Sequence, residues 1–125
     1  FVDSRIREAV ALQDSAREAL ELARRNALFN AQVGYTGVNS SVASVRANAQ
    51  AVQSAEVALQ SNRLGQEVGV RTNLDVLNVQ QTVFTQRRNL AQAYFNYLIN
   101  TLRLKSAVGT LTEQDLEELN RRLAG

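Results

Sequence analysis

GQEVGVRTNLDVLNV, residues 65–79, breaks a chain that is otherwise almost free of turn residues: of its 125 residues none is proline and only six are glycine. Two of those glycines, Gly65 and Gly69, fall here, beside Arg71 and just before Thr72 and Asp75. Glycine permits the sharp reversal, including positive φ where a turn demands it. Thr72 and Asp75, three residues apart, have the spacing of a capping box that opens a helix, and Asp75 suits the positive end of the helix dipole. The stretch therefore reads as the turn between two helices.

Outward from this turn both arms are helical. From Asp3 to about Leu64 the composition is Ala, Gln, Arg, Glu, Leu, Val, Ser and Asn, interrupted only by Gly34 and Gly37, which mark a bend or a close helix crossing. Unbroken, that span is roughly 90 Å long at ~1.5 Å per residue, too long for a compact globule. The second helix runs from about residue 73 to Val108, with Gly109 as its C-terminal cap. Thr112 and Asp115 then open a short third helix of about residues 112–123. The fold class is all-α: a long antiparallel hairpin, coiled-coil-like, plus a short C-terminal helix.

The apolar spacing tells what the helices need. In the second helix one series, Leu74, Leu77, Gln81, Phe84, Arg88, Ala91, Phe95, Leu98, Leu102 and Lys105, alternates steps of three and four. Another, Val76, Val83, Leu90, Tyr94, Tyr97, Leu104 and Val108, runs beside it. The first helix repeats the arrangement with Val38, Val42, Val45, Ala49, Val52 and Leu59 on one side and Ala47, Ala51, Ala55 and Ala58 on another. Two seams per helix suit a stave in a wall of helices, while a bundle of three or four helices also shows broad apolar faces. Periodicity alone leaves both open.

Composition excludes several function classes. Fourteen Lys+Arg against twelve Asp+Glu leave a net charge of +2, with the charges scattered, which argues against nucleic acid as a partner. Cysteine and histidine are both absent, so disulfides, thiolate metal sites and cysteine or histidine catalysis are out; no metal, cofactor or catalytic site is expected. Asp14, Glu18 and Glu21 lack a nucleophile or base beside them, and GYTG at 34–37 has no phosphate-binding context. Tyr94, Phe95 and Tyr97 read as packing residues, and Arg24, Arg25, Arg87 and Arg88 as solvated or wall-facing charges. No apolar run is long enough to span a bilayer as a helix. A chain that opens on phenylalanine and holds no methionine reads as a piece of a longer protein.

The stretch from Gly65 to Asn120 carries a resemblance. GVRTNLDVL at the turn, LAQAYFNYLI at 90–99 and GTLTEQDL at 109–116 stand in the order and spacing of the TolC family of outer-membrane efflux and secretion channels. FVDSRIREA at the start is similar to the point where that family's last barrel strand passes into its long helix. The resemblance implies a homotrimer in which each protomer gives four β-strands to a shared outer-membrane barrel and long helices to a periplasmic α-barrel tunnel. This chain would be the second helical hairpin of that tunnel, placed in the periplasm of a Gram-negative cell.

The same resemblance implies roles at the tip. Residues Gly65, Gln66, Glu67, Val68, Gly69, Val70, Arg71 and Thr72 would dock the periplasmic adaptor that links channel to inner-membrane pump. Arg71 would tie the hairpin to a neighbour and hold the entrance closed, against a plainer reading as a solvated cation near a turn. Asp75 would face the pore as one of three, a ring of like charge that selects cations and whose protonation mutual repulsion raises. Two departures stand out: Asn78 occupies the position of a second pore aspartate, and Gln66 that of a tyrosine which helps lock the closed state. The alternatives are the helical hairpin of a periplasmic adaptor, which would need β segments on both sides, and a structural coiled-coil rod, which would show one seam per helix.

Overall fold

The computed structural model describes all residues, 1–125. Three helices follow in order: α1 (Val2–Glu67), α2 (Asn73–Ala107) and α3 (Glu113–Ala124). There are no strands. At ~1.5 Å per residue α1 is about 99 Å long and α2 about 52 Å, so the two pair antiparallel over only the C-terminal half of α1. Residues 2–30 of α1 are exposed on every side. No helix is long and apolar enough to cross a membrane.

The hairpin closes on one seam from each helix. On α1 the inward positions are Gly34, Val38, Ser41, Val45, Asn48, Val52, Ala55, Leu59 and Asn62; on α2 they are Val76, Val79, Val83, Gln86, Leu90, Ala93, Tyr97, Asn100 and Leu104. Both sets alternate steps of three and four, the interlocking of a coiled coil. Val83 is the most buried side chain, at 3% exposure, and Ala55 and Ala93 on the same two seams are buried as well. The internal α2 seam is therefore the Val76–Val83–Leu90–Tyr97–Leu104 series. The Leu74–Leu77–Phe84 series lies outside, with Leu74, Leu77 and Phe84 each about three-fifths exposed. Of the alanine series on α1, Ala51 and Ala55 turn inward, while Ala47 and Ala58 are exposed.

α1 passes Gly34 and Gly37 without a break, although an interior glycine costs about 1 kcal/mol relative to alanine. Close approach explains the first: a Cβ on Gly34 would stand 3.3 Å from the Cα of Leu104 and 3.1 Å from its Cδ1. At Gly37 the carbonyl accepts the Ser41 hydroxyl at 2.8 Å, and the Asn100 amide donates to the Ser41 Oγ at 2.5 Å. Ser41 is the one buried polar residue of the chain, and it is satisfied. This polar layer sits where small residues admit an amide, and it fixes the register near the open end of the hairpin. Glu56 and Arg87, 2.7 Å apart, pin it again midway.

α2 ends in a Schellman motif: the Gly109 amide donates to Ser106 and the Thr110 amide to Lys105, with Gly109 at φ +73°. The chain then folds back, and α3 lies along the outer side of α2, facing Tyr97, Leu98, Thr101 and Leu102. Lys105 pairs with Asp115 and the Arg122 guanidinium reaches the Tyr94 hydroxyl at 3.4 Å. Leu98, which belongs to the outer series, is buried here. Leu116 and Leu123 remain half exposed.

Candidate functional site: the hairpin tip

α1 continues three residues beyond the expected end near 64, to Glu67, because Gly65 and Gln66 stay helical. It closes in a second Schellman motif, with the Gly69 amide donating to Gln66 (3.1 Å) and the Val70 amide to Gly65 (2.8 Å). Only Gly69 takes positive φ, +82°, with open space where a Cβ would be. The reversal therefore needs one glycine for its backbone, not two. Gly65 answers a different demand: a Cβ there would fall 2.7 Å from Cγ, 3.4 Å from Cβ and 3.9 Å from Cδ of Arg71. The Arg71 amide also donates to the Gly65 carbonyl at 3.0 Å. Arg71 is thus folded back across the last turn of α1.

On the α2 side the Thr72–Asp75 capping box forms. Asp75 Oδ2 accepts the Thr72 amide at 3.0 Å, and Thr72 Oγ1 accepts the Asp75 amide at 3.2 Å. These hydrogen bonds, from the Thr72 backbone and then its side chain, with the Arg71 charge nearby, hold the Asp75 carboxyl below the usual carboxylate range. The direction is opposite to the upward shift expected for a ring of carboxylates, which arises only where other copies bring their own Asp75. Asn78 is exposed one turn along the same flank.

Gln66 is engaged within its own hairpin: its Nε2 donates to Asn73 Oδ1 at 2.5 Å, joining the last turn of α1 to the first residue of α2. Glu67, Val68 and Val70 point away, with Val68 67% and Val70 76% exposed. The tip is a short loop in which Gln66 is bonded to Asn73 and Thr72 to Asp75, with two bare valines at its apex. The sequence reading missed Asn73, which the turn, and not a helical spacing, brings to Gln66. It also missed Ser41 and Asn100, whose pairing depends on the register of the two helices. No group of three or more carboxylates, histidines or cysteines converges anywhere to hold a metal.

Comparison with known proteins places this geometry. The family model for outer membrane efflux proteins matches residues 2–110. The chain is 41% identical to the outer membrane protein TolC of Escherichia coli (strain K12), over 99% of this chain and 25% of that protein. It is 35% identical to the alkaline protease secretion protein AprF of Pseudomonas aeruginosa, over 85% of this chain and 20% of AprF. It is 30% identical to the proteases secretion protein PrtF of Dickeya chrysanthemi, over 94% of this chain and 26% of PrtF. The chain spans between a fifth and about a quarter of the length of these relatives. A family match over most of the chain and an all-helical hairpin with its motif-bearing tip lead to one assignment: the chain belongs to the TolC family of outer membrane efflux proteins.

Proposed function

We propose that this hairpin is a stave in the periplasmic tunnel of a homotrimeric outer-membrane channel for efflux or type I secretion in a Gram-negative cell, with no enzymatic role. Its tip, residues 65–72, docks a periplasmic adaptor protein that connects the channel to an inner-membrane pump, and the same tip gates the entrance. The observation that carries this reading is the second seam. After α1 and α2 have closed on Val83 and its neighbours, Leu74, Leu77 and Phe84 still form an apolar row along α2, and Val57 and Leu64 are more than half exposed on α1. A soluble rod has no use for that row, whereas a helix in a closed wall covers it with the next helix.

At the tip, apolar Val68 and Val70 flank Gly69 and offer a contact for the apex of another helical hairpin. Arg71 and Asp75 set its charge. In this reading Arg71 ties the closed entrance and Asp75 turns a carboxylate toward the axis. The test is electrical. The full-length protein in planar bilayers gives discrete channels, and Arg71→Ala raises their conductance without changing the rate of insertion. Failure to form channels, or identical conductance in wild type and Arg71→Ala, contradicts the reading.

A further inference from the structure

We infer that Gly65 is a positioning residue for Arg71: its bare Cα is the seat on which the Arg71 stem lies, and any side chain at 65 unseats the arginine. The proposal rests on the closing role given to Arg71 above.

Three observations carry it. Glycine at 65 is not required by the backbone, since Gly65 is an ordinary helical residue while positive φ is confined to Gly69 and Gly109. A glycine inside a helix is disfavoured against alanine, so its presence calls for another cause. That cause is visible in the missing Cβ, which would meet Cγ of Arg71 at 2.7 Å, inside any real contact distance, and its Cβ at 3.4 Å. Finally, the Arg71 amide is bonded to the Gly65 carbonyl at 3.0 Å, so the arginine backbone cannot retreat without breaking the turn. The side chain alone must give way.

The seat keeps open one path for a long side chain. With no Cβ at 65 the Arg71 stem can lie across the last turn of α1 and keep its charge near Asp75. A side chain at 65 closes that path and sends the guanidinium elsewhere. The closing contact is thus made available by an absent side chain.

The experiment compares Gly65→Ala, Arg71→Ala and the double variant in the full-length channel, reading single-channel open probability and the thermal midpoint. The expected result is that Gly65→Ala opens the entrance to within about twofold of Arg71→Ala, and that the double variant adds less than about twofold to either, as residues sharing one contact do. The midpoint of Gly65→Ala stays at or above wild type, because alanine favours the helix, so a merely structural glycine predicts no opening. Opening by Arg71→Ala with wild-type behaviour of Gly65→Ala overturns the seat and leaves the closing role of Arg71 standing. No opening by either overturns the closing role and the proposal with it. Should Gly65→Ala fail to assemble, rescue by Arg71→Ala supports the contact, since the new methyl then has no stem to meet. Failure of the double variant as well overturns it.

Discussion

The side-chain amides of Gln66 and Asn73 meet across the tip, Nε2 to Oδ1 at 2.5 Å, so the two helices are clasped at the point where the chain reverses. The bond is exposed, which limits its worth to the lower part of the usual ~0.5–1.5 kcal/mol. Gln66→Leu and Asn73→Leu should each destabilise the hairpin slightly, and the double variant should cost no more than either. A urea-unfolding double-mutant cycle measures this. Strict additivity would mean the two amides do not act together.

Val83 and Phe84 are neighbours in sequence on different seams, 3% and 62% exposed respectively. Val83→Ala should lower the stability of the chain by about 2 kcal/mol, in the range for truncating a buried aliphatic side chain. Phe84→Ala should change it by less than about 0.5 kcal/mol. The order reverses for association: the wild-type chain should self-associate across the micromolar to millimolar range in sedimentation experiments, and Phe84→Asp should abolish this while Val83→Ala does not. A strict monomer throughout would mean the outer seam is not a contact surface.

Asp75 gives the tip a pH dependence whose sign follows from its cap. Its carboxyl titrates below the usual value in the folded hairpin, so it contributes stability above the unfolded-state value of about 3.9, and that contribution is lost as pH falls through the lower folded value. Asp115 behaves in the same way at the start of α3, held down first by Lys105 and then by Thr112. The Asp75 share is isolated by comparing wild type with Asp75→Asn: the difference in thermal midpoint should be present at neutral pH and shrink below about pH 4. A difference independent of pH would remove the carboxylate from the cap.

Under the proposed channel reading the same carboxylate meets its copies, and repulsion there works against the cap. Wild type should prefer cations, Asp75→Asn should lose that preference, and Asn78→Asp should strengthen it and tighten block by trivalent cations from the periplasmic side. Reversal potentials in planar bilayers measure all three. Equal selectivity would leave Asp75 a helix cap alone.

The sequence was most legible where local chemistry decides structure. The reversal between Gly65 and Thr72, the Thr72–Asp75 box and the stop at Gly109 each depend on a few adjacent residues. Two seams per helix could also be seen, but not which one the hairpin would close, because Leu77 and Val76 are equally apolar and differ only in which face meets α1. Likewise Gly65 and Gly69 look alike in sequence. One serves its own φ and the other serves Arg71, six residues away. Gln66 stands, by the resemblance, at the position of a closing tyrosine, and within this hairpin its side-chain amide is bonded to Asn73. Long-range partners such as Ser41 and Asn100 require the register, which only the assembled hairpin fixes.

The account stands on the outer seam being covered by neighbouring hairpins in the assembled channel. Thiol labelling of Phe84→Cys tests it most directly, since this stretch of chain contains no cysteine of its own. The account predicts that maleimide reacts with position 84 far more slowly in the assembled full-length protein than in the isolated 125-residue chain, while Glu67→Cys at the tip labels rapidly in both. Labelling of position 84 as fast as position 67 in the assembled protein would contradict it.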